Sequence, residues 1–154
     1  MESTIQPEPS LDPIPDAAQQ TAMKGGANWF YWIAVLSLIN SLVIAFEGNL
    51  QFPVGLAMTQ LLTGLGLGLT AIGDSSAFLI VTIVISLVIS IIFAGFGYYA
   101  GKGFGAAFIA GIIFYFLDAI IYLAFSDFFG VGFHVFALFF IVRGFLASRT
   151  LQLR

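Results

Sequence analysis

Asp118 and His134 are ionisable side chains set in apolar surroundings, LDAIIYLAF and GVGFHVFALFF. A charge carried into hydrocarbon is costly, so such residues face a bundle interior or a wet cavity and mark functional positions by default. The turn at Asp127 sets their depth, because Asp118 stands nine positions before it and His134 seven after it. At ~1.5 Å per helical residue the two reach comparable levels on adjacent helices. A hydrogen bond between them would orient the imidazole and offset part of the desolvation of both groups. Tyr115 and Tyr122, about one turn to either side of Asp118, complete a candidate polar pair or relay. Its simplest use is to lock a helical hairpin, in the way polar contacts join helices in membranes. A proton relay or ion-coupling site is the second use.

Asn40, Glu47, Gln51 and Gln60 form a second candidate group, an outer polar vestibule leading towards His134. The competing expectation places Glu47 in headgroup water and lets Asn40 hydrogen-bond across helices. Asp74 is the expected cap of the helix that follows, with Ser75 and Ser76 as competing caps.

No catalytic, cofactor-binding or metal-ligating residues are assigned. The chain has one histidine and no cysteine, and neither HExxH nor paired Glu-x-x-His sequences occur. Cysteine chemistry and disulfides are excluded outright. The sequence around Gly101 and Lys102 lacks the spacing and the hydroxyl of a phosphate-binding loop. No GxSxG elbow accompanies Ser86 or Ser90, and Ser126 falls above His134 rather than beside it. Intramembrane hydrolysis is therefore the weakest of the functional expectations.

These residues need elements to hold them, and composition says which kind. The chain is 60% hydrophobic and 8% charged, against about 25% charged for soluble domains. Four apolar runs, 29–46, 78–99, 104–125 and 128–147, each have roughly the 17–25 residues that cross a bilayer core as a helix. Lys24, Lys102, Arg143, Arg149 and Arg154 sort to one face of the resulting arrangement, while Glu47, Asp74 and Asp127 mark the other. That is the positive-inside pattern, and it predicts cytoplasmic N- and C-termini in a plasma or bacterial inner membrane. The segment 52–72 is long enough to cross as well, yet a fifth crossing would reverse the charge pattern. Its glycines and its start near Pro53 favour a re-entrant or interfacial helix.

The expected fold is thus an all-α integral membrane protein, with four transmembrane helices in a compact bundle plus one re-entrant or interfacial helix after the first span. Residues 1–28 read as a disordered, acidic, proline-rich cytoplasmic tail ending in a hinge at Gly25 and Gly26, residues 29–147 as the bundle, and 148–154 as a short basic tail. The start of the chain lacks the pattern of a cleaved secretory signal, so insertion is expected to depend on the first span. Small residues recur on single helix faces: Ala34, Ser37, Ser41 and Ala45; Thr82, Ser86, Ser90 and Ala94; Ala107 and Gly111 ahead of Tyr115. Such rows let backbones approach closely, with aliphatic and aromatic side chains, the phenylalanines especially, turned to lipid. Dispersed cations exclude a nucleic-acid surface. The expected partners are the lipid bilayer and a second copy or another membrane protein. A non-enzymatic structural, scaffolding or regulatory bundle is the leading functional expectation, with a proton- or ion-conducting subunit as the alternative.

Overall fold

A computed structural model of the chain describes residues 14–46, 55–73 and 76–153. Those residues form five helices and no strand: α1 Ile14–Ala45, α2 Ala57–Gly73, α3 Ala77–Gly101, α4 Gly105–Ala124 and α5 Phe128–Gln152. The four long helices are apolar and long enough to cross a bilayer, and α2 is the shorter apolar helix. The membrane helical bundle and its extra helix are therefore present as expected. Glu47, Gln51, Pro53, Asp74, Ser75 and Arg154 lie outside the described residues, as do positions 1–13 of the proline-rich tail.

The helices are joined by tight turns whose backbone demands are visible in the sequence. Between α3 and α4 the chain reverses through Gly103 at φ +85°, a left-handed conformation that glycine adopts without a Cβ penalty. Between α4 and α5, Ser126 takes φ +57° and Asp127 caps α5 by accepting a hydrogen bond from the Gly130 N–H at 2.9 Å. Ser76, one of the competing caps, occupies the N-cap position of α3 but makes no side-chain capping bond.

α1 begins at Ile14, well before the expected start at Trp29, and runs unbroken through Gly25 and Gly26. The hinge expected there is absent for a packing reason. A Cβ on Gly26 would lie 2.7 Å from the Gly144 Cα, and the converse holds for Gly144, so these glycines let α1 and α5 touch backbone to backbone. α5 likewise continues past Ala147, where a tail was expected, to Gln152. Ser148 is buried there, and the Gln152 amide donates to the Gly103 carbonyl at 2.5 Å.

The small-residue rows face inward as expected: Ser37, Ser41, Thr82, Ser86, Ser90 and Gly111 are all buried. The phenylalanines divide between two environments, which corrects their assignment to the lipid face. Phe30, Phe93 and Phe108 are buried, with the Phe30 ring centroid 6.4 Å from Phe93 and 6.1 Å from Phe108. Gly111 makes room for them, since a Cβ there would meet Phe30 at 2.4 Å. The outward surface is apolar nonetheless, with Ile80, Val84, Ile91, Ile113, Phe116 and Phe139 exposed. In lipid, packing of this kind replaces the hydrophobic drive that holds soluble cores.

Neighbour relations define two ends of the bundle. Met23 lies against Gly103, Gly26 against Gly144 and Phe145 against Gly105, so Lys24, Lys102, Arg143 and Arg149 gather towards one end. Asp127, in the α4–α5 turn, lies at the other end. α2 starts inside the bundle. Gly55, just before it, is so close to α1 that a Cβ would come within 2.9 Å of both Asn40 Nδ2 and the Ser37 Cα. Ser37 is eight residues short of the end of α1 at Ala45, about 12 Å along the axis. From that interior start α2 runs back along α3: Thr63 Oγ1 lies 3.4 Å from Ser86 Oγ, and Gly66 accommodates Thr82.

Candidate functional site

A helix that begins inside an apolar bundle has a specific problem. Its first backbone N–H groups have no partner within the helix, and no water is available to them. Here each of three successive donors finds a side-chain acceptor from another helix. Leu56 N–H donates to Ser37 Oγ at 2.8 Å, Ala57 N–H to Asp118 Oδ2 at 2.7 Å, and Met58 N–H to Asp118 Oδ1 at 3.0 Å. Ser37 in turn donates to the Ile33 carbonyl at 2.6 Å. Asp118, on α4, thus serves as the cap of α2. Its two carboxyl oxygens also sit where the positive end of the α2 dipole lies.

His134, on α5, completes the carboxylate's surroundings. Its Nε2 is 3.0 Å from Asp118 Oδ2, and its Nδ1 is 2.8 Å from the Gly130 carbonyl oxygen. A carbonyl only accepts, so Nδ1 carries a hydrogen. The Nε2–Oδ2 hydrogen bond then joins the imidazole edge to the same carboxylate oxygen that receives the Ala57 N–H. Both side chains are closed off, at 0% exposure for His134 and 2% for the Asp118 residue as a whole. The depth match expected from counting away from Asp127 is therefore realised as a direct contact.

The two tyrosines take different roles. The Tyr115 ring stacks on the imidazole at 4.2 Å between centroids and 20° between planes, and Tyr122 packs at 4.8 Å on a tilt. Tyr122 also joins the start of α2, because its hydroxyl donates to the Gly55 carbonyl at 3.2 Å and accepts from Gln60 Nε2 at 2.9 Å. Among the described residues the Tyr115 hydroxyl has no hydrogen-bond partner, although it is buried. Tyr115 therefore acts on His134 through its ring face.

Of the expected vestibule, Asn40 is buried beside Gly55 and Gln60 is bound to Tyr122. Glu47 and Gln51 lie outside the described residues. Gln60, Tyr122 and Asp127 line a partly open cavity of about 240 Å³ together with Ile44, Ala57 and Phe125. Asp118 also borders an apolar crevice of about 230 Å³ between α3 and α4. Arg143 is exposed and stands apart from His134, as expected from their spacing on α5. Lys102 donates to the Tyr98 hydroxyl at 2.6 Å and lies 4.2 Å from the centre of that ring.

The sequence does not single out Ser37 or the Leu56, Ala57 and Met58 N–H groups, although all touch the site. Ser37 sat in a row of small residues that reads as packing. A usable signal was present nonetheless: a helix starting near Pro53 within an apolar segment has orphan donors, and a buried carboxylate elsewhere is their natural acceptor. No protein-family model, curated protein or solved structure matches this chain.

Proposed function

We propose that this chain is a non-enzymatic structural or regulatory membrane bundle in which Asp118 and His134 form an internal clamp that seats the re-entrant helix α2. The observation that carries this reading is the engagement of the Asp118 carboxylate by two α2 backbone N–H groups and by His134, with both side chains sealed from solvent. Neither imidazole nitrogen is left over for a substrate proton, which weighs against general-base chemistry. The gathering of Lys24, Lys102, Arg143 and Arg149 towards one end supports cytoplasmic N- and C-termini in a plasma or bacterial inner membrane. A second copy or another membrane protein is the partner this reading calls for, since a scaffold acts through what it holds.

The second reading is a proton- or ion-conducting subunit. It is favoured by the cavity that Gln60, Tyr122 and Asp127 line on the outer side of the clamp, and by the direct Nε2–Oδ2 hydrogen bond between two ionisable side chains. Reconstitution separates the two. Proteoliposomes with a pH-sensitive dye inside are compared for the wild type, Asp118→Asn and His134→Gln, alongside thermal unfolding of the same proteins. The clamp reading expects no flux above empty vesicles and lower melting temperatures for both variants. Flux that disappears in the variants while their melting temperatures hold would establish the conducting reading instead.

A further inference from the structure

We propose that the seam between α1 and α5 binds an anionic phospholipid, with its phosphate on Arg143 and an acyl chain laid along α1 towards Leu36. Above the Gly26–Gly144 contact the two helices leave an open groove of about 730 Å³, walled by Ala17, Thr21 and Gly25 on one side and Phe140 and Arg143 on the other. Gly25 is also a wall of a second groove, of about 370 Å³, which passes Asn28, Trp29, Trp32 and Phe133 to Leu36. The two grooves share Gly25 as a wall, so a lipid lying past it would use both as one channel. Its length past Gly25 is set by the eleven residues to Leu36, about 16 Å of helix.

The channel changes chemistry along its length in the order a phospholipid does. On the α5 wall of the first groove stands the Arg143 guanidinium, exposed and without an ion-pair partner among the described residues. A planar fork of donors matches a phosphate, and an unpaired cation at the level of Lys24 faces the region where anionic headgroups lie. Next come Trp29 and Trp32, the amphipathic rings that favour the headgroup boundary. Trp29 is held by stacking on Phe140 at 5.5 Å, so that wall is preformed. Beyond it the lining is aliphatic and aromatic only. Gly25 lines both grooves and is open: a Cβ placed there meets nothing within 4 Å. The glycine therefore leaves space for an occupant from outside the chain, in contrast to Gly26, which is filled by α5.

The test uses the full chain in detergent, titrated with phosphatidylglycerol or phosphatidylcholine and followed by native mass spectrometry and thermal unfolding. Phosphatidylglycerol is expected to bind and to raise the melting temperature, and phosphatidylcholine to do neither. Arg143→Gln is expected to weaken phosphatidylglycerol binding about fivefold, the effect of one cation at a lipid surface. Gly25→Leu places a side chain in the groove from a position where a Cβ meets nothing, and is expected to weaken binding while the lipid-free melting temperature holds or rises, as replacing a helical glycine should make it. Lys102→Gln, away from the seam, is expected to bind as the wild type does. Wild-type protein that does not distinguish the two lipids overturns the proposal, as does equal loss in Lys102→Gln and Arg143→Gln, which would mean diffuse charge attraction. A wild-type oligomer that Gly25→Leu breaks into monomers also overturns it, because the seam would then be covered by a second copy.

Discussion

At the level of single residues, hydrogen-bond demand at the start of α2 accounts for the contacts of Ser37 and Asp118. Leu56, Ala57 and Met58 present N–H groups that must be met inside the bundle, and Ser37 and Asp118 meet them. Leaving a buried donor unmet costs about 1–3 kcal/mol. Ser37→Ala is therefore expected to lower stability by about that amount, because it orphans the Leu56 N–H. Ser41→Ala is the matched control. Its hydroxyl is buried with no partner among the described residues, so removal is expected to be neutral or slightly stabilising, and thermal unfolding of the two variants side by side checks the contrast. The Asp118–His134 contact was legible in the sequence because both residues can be counted from one short turn, and a hairpin fixes relative depth. The capping role of Asp118 was not legible, since its partners lie 60 and 61 positions earlier and their need appears only once α2 is known to begin between other helices.

At the level of elements, the glycines sort the helices into close contacts and open faces. Gly26→Ala drives a methyl group into the Gly144 backbone, while Gly25→Ala meets nothing. The first is expected to separate α1 from α5 and lower the melting temperature. The second is expected to raise stability by about 0.5–1 kcal/mol, the usual gain of alanine over glycine in a helix. If α1 hinged at this pair, both changes would act alike. The sequence favoured a hinge because two adjacent glycines after a proline-rich stretch weaken a helix locally, and the α5 backbone that overrides this weakness is more than a hundred positions away. At the C-terminal end of α3, the hydrogen bond to Tyr98 raises the Lys102 amine above its ordinary range. A raised cation stabilises the fold at pH below its unfolded value, and that stabilisation is lost as pH climbs through the raised one. Lys102 is fully exposed, so solvent screens the effect. In Tyr98→Phe its titration, followed by NMR of the labelled side chain, is expected to move back down.

For the whole molecule, four crossings and one interior helix require that residues 18 and 150 share a side and that residue 126 lies opposite. The absence of cysteine makes this simple to read. Single cysteines at Ala18, Thr150 and Ser126, probed with an impermeant maleimide on intact cells, are expected to give labelling from outside at position 126 alone. Labelling of 18 and 150 from different sides would remove the topology and the lipid orientation that depends on it. Helix number and class were legible because apolar length is a property of each segment taken alone. Which phenylalanines turn inward was not, because Phe30 and Phe108 are chosen by the space Gly111 leaves rather than by their own neighbours in sequence. The trans cap on α2 also dictates an order of events during synthesis. When α2 leaves the ribosome the carboxylate that will close its end has not yet been made, so the helix waits in an unfinished nascent chain until α4 arrives. A polypeptide stopped after α3 would carry that uncapped start permanently, a natural mark for quality-control proteolysis.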